Sequence, residues 1–335
     1  MPTGAPLSGS DLVDPFGRRI TYLRLSVTDR CDFRCVYCMD PDQRFAHRDL
    51  ALSPAELLAV TRAFVDLGVR KVRLTGGEPL VRPDLIELLV AIHALPGLAE
   101  LVLTTNGSQL APRARAIRDA GVRRINISLD TLNPERFRQL TRNGDLGRVL
   151  AGIDAAIAAG FDRIKLNTVI LGERNGDEIL DLVRFALSRG VNISFIEEMP
   201  VGEVAHRSTT RYTSGQIRAR IEPHFTLIPT TETTGGPARY YRIPDSPTRI
   251  GFISPHSHNF CADCNRVRVT SEGQLLLCLG REESLDLRAI LRQHPGDEAR
   301  LRQAIIEALC MKPEGHGFAT GIPAVMGRPM NRIGG

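Results

Sequence analysis

An α/β fold built on a parallel sheet is predicted by three features of this 335-residue sequence. Short β-rich runs alternate with helical stretches between residues 20 and 197, the pattern of successive βα units. Glycines stand where each helical stretch gives way to the next run, as C-terminal caps do. Hydrophobic residues make up 42% and charged residues 24%, which supports a sizeable core and excludes general disorder.

The six strands read as 20–27, 69–74, 101–105, 124–129, 164–170 and 192–196. The first helix starts at Ser53, which caps it, with Pro54 at the first helical position and Glu56 closing a capping box. Asn133-Pro134-Glu135 opens another helix, and the Ala-rich segment 149–159 forms a further one. Gly68, Gly121, Gly160 and Gly190 are the capping glycines. Six such units build either an open doubly wound sheet or an incomplete barrel, and the pattern serves both.

Beyond Pro200 the regularity ends. A helix is expected at 211–221, then Pro and Gly punctuation, a hairpin over 267–279 turning at Glu272-Gly273, and helices at 284–293 and 297–308. The chain thus divides into a flexible leader (1–19), a βα unit (20–225) and a smaller C-terminal α+β unit (226–335).

The net charge of +5 is too mild over this length to be a nucleic-acid footprint, but it leaves room for a local anionic ligand. Lys71, Lys165 and Lys312 are the three lysines in a cation set otherwise made of arginine. The N-terminal segment shows no charged leader followed by an apolar core, and no apolar run approaches the ~20 residues of a membrane span. A cytoplasmic location is therefore expected, where seven clustered cysteines point to metal or redox chemistry before disulfides.

Cys31, Cys35 and Cys38 form C-x3-C-x2-C directly after the first strand. Three thiolates in one loop suit three irons of a [4Fe-4S] cubane and leave the fourth iron open to a ligand. A structural zinc site needs a fourth ligand, for which His47 is available. Farther on, Cys261 and Cys264 form C-x2-C, with Cys278 across the expected hairpin. Pairing Cys35-x2-Cys38 with Cys261-x2-Cys264 as a zinc ribbon would strand Cys31 and Cys278. Two sets of three use six cysteines and leave Cys310, which reads as a small core residue.

The first triplet, with Tyr37 before its last cysteine, and Thr75-Gly76-Gly77-Glu78-Pro79-Leu80 at the end of the second strand resemble the two signatures of the radical S-adenosylmethionine superfamily. The run 260–279 and the terminal Ile333-Gly334-Gly335 narrow the resemblance to the GTP 3′,8-cyclase family of molybdenum cofactor biosynthesis, over about residue 20 to the end. The resemblance implies an incomplete (β/α)6 TIM-like barrel closed by a C-terminal auxiliary-cluster domain. It implies that Cys31, Cys35 and Cys38 hold a first [4Fe-4S] cluster, and Cys261, Cys264 and Cys278 a second. Tyr37, Gly77, Ser128 and Met199 would then line the S-adenosylmethionine site, the bare backbone of Gly77 admitting the methionyl end.

By the same resemblance, Arg24, Arg73, Thr104, Lys165, Arg266, Val267 and Arg268 bind GTP. Arg266 and Arg268 are two apart on a strand and share a face, while Val267 faces the other way. Gly334 and Gly335 would enter the active site as a thin C-terminal strand. The implied reaction cyclises GTP to 3′,8-cyclo-7,8-dihydro-GTP, with an electron donor such as flavodoxin or ferredoxin and cyclic pyranopterin monophosphate synthase downstream. The resemblance allows a homodimer. One stretch departs from the family pattern: Ser194 and Glu198 stand where an arginine and a phenylalanine are expected, so no arginine contact is expected from position 194.

Overall fold

The computed structural model describes residues 12–199, 212–318 and 328–334. Six parallel strands form its centre in sequence order: β1 (Tyr22–Ser26), β2 (Lys71–Thr75), β3 (Glu100–Thr105), β4 (Arg124–Ser128), β5 (Arg163–Ile170) and β6 (Asn192–Glu197). The helices between them are α1 (Pro54–Asp66), α2 (Leu85–His93), α3 (Ala114–Asp119), α4 (Pro134–Thr141), α5 (Leu146–Ala159) and α6 (Ile179–Arg189). This is the partial (β/α)6 barrel that the resemblance implied, with each expected strand matched to within two residues at either end.

Local chemistry explains the elements. Ser53 Oγ accepts the Glu56 N–H at 3.2 Å and a Glu56 carboxylate oxygen accepts the Ser53 N–H at 2.7 Å, so the expected capping box starts α1. Leu57, Val60, Thr61 and Phe64 then bury one face of that helix. Asn133 caps α4 through the Arg136 N–H at 3.0 Å. Gly160 ends α5 in the left-handed region (φ +73°), which favours glycine.

The strands alternate. On β1, Leu23 and Leu25 pack into the apolar core under the helices, while Tyr22 and Arg24 face the interior cavity. On β5, Ile164, Leu166 and Ile170 are buried in that core, while Lys165, Asn167 and Val169 line the cavity.

The C-terminal stretch contributes α7 (Ser214–Ile221) and strands β7 (Ile228–Pro229), β8 (Arg239–Arg242), β9 (Arg249–Ile253), β10 (Arg266–Val269), β11 (Gln274–Leu276) and β12 (Ser284–Asp286). These strands do not form a sheet of their own. β9 joins β6 in parallel at one edge and β10 joins β1 in parallel at the other, giving one twelve-stranded sheet in the order β12-β11-β10-β1-β2-β3-β4-β5-β6-β9-β8-β7. Both edges of the partial barrel are thereby continued rather than closed on each other. Of the expected leader, residues 12–19 pack on the body: Leu12 is buried, Val13 bridges Arg19, and buried Arg18 pairs with Asp14. Residues 1–11 lie outside the described residues.

Two expectations change. The segment expected as one helix over 284–293 is split, because residues 284–286 pair with β11 as β12 before α8 (Leu287–Gln293) begins. Asp286 caps that helix through the Ala289 N–H at 2.9 Å. Cys310 is exposed at the end of α9 (Glu298–Leu309), so it is not a core residue. The chain ends on α10 (Met330–Ile333). Among the described residues no helix is long and apolar enough to cross a membrane.

Candidate active site

A cavity of about 300 Å³ opens inside the barrel. Both cysteine triplets line it, together with Tyr37, Gly77, Ser128, Met199, Arg24, Arg73, Thr104, Lys165, Arg266, Val267 and Arg268. Residues spread over about 250 positions of sequence thus meet in one chamber. Gly335 lies outside the described residues.

Cys31, Cys35 and Cys38 occupy the loop after β1, at the C-terminal ends of the parallel strands where such folds place ligands. Burial raises the thiols of Cys31 and Cys35 and pushes Cys38 up to about 12. Metal coordination would deprotonate them outright. Among the described residues no set of three or more His, Cys, Asp or Glu side chains is arranged around a single metal ion. Three free thiols in one loop are the donor set of a cubane with an open iron, whereas a closed zinc site takes four ligands.

The loop is braced from several sides. Asp32 accepts hydrogen bonds from Asn106 Nδ2 at 2.7 Å and Ser108 Oγ at 2.6 Å. The Tyr37 hydroxyl donates to Asp130 Oδ2 at 2.7 Å, and Asp130 Oδ1 accepts the Val169 N–H at 2.8 Å. Burial pushes the Asp130 carboxyl up to about 6. Asp130 ends the segment containing Ser128 and was not singled out in the sequence; a carboxylate immediately after a strand was the available signal.

Gly76 and Gly77 show why this turn is glycine. A Cβ at Gly77 would lie 2.3 Å from the Arg30 carbonyl oxygen, and one at Gly76 2.5 Å from the Thr28 carbonyl oxygen. The pair therefore packs against the segment 28–30 between β1 and the cysteine loop, which is a tighter demand than admitting a ligand. Glu78 next to it is fully buried and accepts hydrogen bonds from the N–H of Leu80 (3.0 Å), the hydroxyl of Thr105 (2.7 Å) and the N–H of Asn106 (2.6 Å). Burial pushes its carboxyl up to about 7 against the pull of these donors. Glu78→Ala strands them at about 1–3 kcal/mol each. A lower urea midpoint is expected for Glu78→Ala, with a smaller drop for Glu78→Gln, which keeps an acceptor.

The second triplet lines the same cavity. Arg18 donates to the carbonyls of Cys261 (2.7 Å), Glu314 (2.6 Å) and Pro313 (2.7 Å), tying the N-terminal hairpin to this loop. Buried Lys312 donates to the Leu277 carbonyl and, at 3.1 Å, to the Arg266 carbonyl. Burial alone would raise the Cys264 thiol, but Lys312, Arg266 and Arg18 lower it.

In the same cavity the inward faces of three neighbouring strands form a block. In register, Arg268, Arg24 and Arg73 stand side by side across β10, β1 and β2, and Arg266, Tyr22 and Lys71 stand side by side in the row below. Adjacent strands lie about 4.8 Å apart, so five cations share one small surface. Burial lowers Arg24 to about 10 and depresses Arg268, with mutual repulsion adding to both. Arg73 Nη1 donates to Thr104 Oγ1 at 2.8 Å, and Lys165 Nζ to the Tyr240 hydroxyl at 3.2 Å. Tyr22, Lys71 and Tyr240 were missed as site residues because each reads as an ordinary strand residue until the register is known.

The Gly334 carbonyl accepts from Arg268 Nη1 at 2.6 Å and Arg24 Nη2 at 3.1 Å, so the chain end reaches this block. A Cβ at Gly334 would lie 2.8 Å from Thr75 Cγ2, and its φ is +73°. The departure at position 194 has a local reason. Ser194 is buried beside Gly251 on β9, and a Cβ at Gly251 would meet both Ser194 Oγ (2.5 Å) and the Tyr240 ring (3.0 Å). Tyr240 takes up the space beside position 194 and reaches Lys165. Asn167 Oδ1, next to Ser128 across β4 and β5, is buried without a hydrogen-bond partner among the described residues, an acceptor suited to a polar ligand.

Known proteins resemble this chain over almost all of its length. Residues 25–186 match the family model Radical SAM superfamily, and residues 191–318 match Molybdenum Cofactor Synthesis C. The chain is 59% identical to GTP 3′,8-cyclase of Ectopseudomonas mendocina over 97% of this chain and 99% of that protein. It is 60% identical to GTP 3′,8-cyclase of Pseudomonas entomophila over 97% of this chain and 98% of that protein. Among solved structures, Streptococcus suis SuiB bound to S-adenosylmethionine superposes with a TM-score of 0.62 at 15% identity, covering 91% of this chain and 76% of that one, which is a likeness of fold. With two curated relatives matched almost end to end at about 60% identity, the chain belongs to the GTP 3′,8-cyclase family of radical SAM proteins.

Proposed function

We propose that this protein cyclises GTP to 3′,8-cyclo-7,8-dihydro-GTP, the first step of molybdenum cofactor biosynthesis. The observation that carries the reading is the block of Arg24, Arg73, Arg266 and Arg268, which lines the same cavity as the two cysteine triplets. Four guanidiniums crowded on one largely buried surface repel one another, and a triphosphate relieves that repulsion while accepting forked hydrogen bonds from them.

Cys31, Cys35 and Cys38 hold the first [4Fe-4S] cluster in this reading, with S-adenosylmethionine against Tyr37, Ser128, Asn167 and Met199. When bound there, the cluster and S-adenosylmethionine would supply the radical chemistry that removes a hydrogen atom from the ribose 3′ carbon. Cys261, Cys264 and Cys278 hold a second cluster at the far wall, where the guanine is presented. Clamping the triphosphate at the arginine block fixes the ribose toward one wall and the base toward the other. The joining of ribose and base is then intramolecular, a setting in which effective molarities reach about 10⁵–10⁸ M. Gly334 contacts two of the same arginines through its carbonyl. A small electron carrier such as flavodoxin or ferredoxin would supply two electrons, one for cleavage of S-adenosylmethionine and one that, with a proton from solvent, quenches the radical left after ring closure; cyclic pyranopterin monophosphate synthase would consume the product.

The reading is tested by anaerobic incubation of the iron-loaded protein with S-adenosylmethionine, dithionite and GTP. Conversion of GTP to the cyclised product is expected. Formation of 5′-deoxyadenosine with GTP unchanged would show that the substrate is another molecule.

A further inference from the structure

Six inward positions on β10, β1 and β2 form a lattice two residues deep and three strands wide, and Tyr22 is the one member that is not a cation. Its register neighbours are Arg266 on one side and Lys71 on the other, and Arg24 is the next inward residue on its own strand. Arg73 Nε donates to the phenol oxygen, and Arg24 hydrogen-bonds to the same group. The Lys71 ammonium lies 5.1 Å from the ring centroid. Arg268 on β10 and Lys165 on β5 also feel the phenol's charge, while Glu100 on β3 is taken up by Lys71 at 2.7 Å. The phenol is buried and lines the cavity. Glu100 offsets Lys71 from outside the block, and of the six inward positions only Tyr22 can carry a negative charge toward the arginines.

Resting on the GTP reading above, we propose that Tyr22 is the internal counter-ion of this cation block: it is ionised while no anion occupies the cavity, and it takes up a proton when a triphosphate replaces it as partner of the arginines. The electrostatics agree. Burial alone would raise the phenol, but the charges of Arg73, Arg24 and Lys71 overcome burial and bring it down to about 7. Once phosphate oxygens neutralise those charges, burial prevails and returns the phenol to the ordinary tyrosine range near 10 or above. Binding is then linked to uptake of up to about one proton from solvent in the interval between these values. Affinity accordingly falls as pH rises through that interval, by up to about tenfold per pH unit.

The test uses the iron-loaded protein and measures proton uptake calorimetrically at about pH 8, in buffers of different ionisation enthalpy, on addition of GTP or inorganic tripolyphosphate. Ionisation of the phosphates themselves cancels in the comparison with Tyr22→Phe. The wild-type protein is expected to take up more protons than Tyr22→Phe with either ligand. Equal uptake overturns the proposal and leaves the GTP reading standing, whereas failure of the wild-type protein to bind GTP overturns both.

A second measurement needs no variant. The chain has five tyrosines and no tryptophan, so the near-ultraviolet band of tyrosinate is readable one residue at a time in pH difference spectra. One tyrosine is expected to ionise near neutral pH in the free protein and to shift upward when tripolyphosphate is added. No early-ionising tyrosine, or one indifferent to the ligand, overturns the proposal.

Discussion

Cys35→Ser is expected to abolish 5′-deoxyadenosine formation while leaving the fold and the second triplet in place. Cys35 stands in the middle of the C-x3-C-x2-C loop, its thiol buried at the cavity wall. A serine hydroxyl is a poor match for iron, and with two thiols left the loop no longer holds three corners of a cubane. Iron content should fall by about four per chain from about eight, and GTP should be recovered unchanged. The loop's own bracing does not pass through this thiol: Asp32 is held by Asn106 and Ser108, and Tyr37 by Asp130. Retention of the other cluster's spectrum in this variant is the accompanying check. Full S-adenosylmethionine cleavage by Cys35→Ser would place the reaction centre elsewhere.

Arg268→Ala should have the largest effect on substrate retention. Arg268 is half-buried at the end of the row Arg268–Arg24–Arg73, and its guanidinium already holds the Gly334 carbonyl. Losing charge-assisted hydrogen bonds at such a site costs about 1.5–3 kcal/mol, so GTP should bind about 10- to 150-fold more weakly. Arg268→Lys keeps the charge but not the planar fork, and an intermediate affinity is expected. Iron content should be unchanged in both variants. Equilibrium dialysis with GTP and iron analysis on the same samples separate the two readouts, and loss of iron would make Arg268 a structural support of the Cys264–Cys278 loop instead.

Much of this architecture was legible in the sequence because its signals are local. Ser53-Pro54 with Glu56, Asn133 before Pro134, and the glycine after α5 each act within one helical turn, and strand alternation needs only a few neighbours. The cysteine spacing is local as well. What escaped depends on pairing between residues far apart. The joining of β10 to β1 and of β9 to β6 places two C-terminal strands inside the barrel sheet, and no periodicity in either strand announces its partner. Residues 284–286 carry too short a run to be separated from the helix that follows. Cys310 lies at the last turn of α9 among apolar neighbours, and only the packed structure shows that its side of the helix faces solvent.

The site divides in the same way. Arg24, Arg73, Lys165, Arg266 and Arg268 were reached through motif resemblance, and all line the cavity. Tyr22 and Lys71 complete the same block, yet neither lies in a motif; their roles appear only when β10, β1 and β2 are set in register. Glu78 was visible as part of a motif, but its three donors come from two separate loops.

The most direct test of the central claim follows a single hydrogen atom. GTP carrying deuterium at the ribose 3′ carbon is incubated with the iron-loaded protein, S-adenosylmethionine and dithionite, and the 5′-deoxyadenosine formed is weighed by mass spectrometry. Transfer of one deuterium into 5′-deoxyadenosine, in step with the appearance of cyclised product, is the predicted result; 5′-deoxyadenosine that carries no deuterium while GTP is consumed would contradict it.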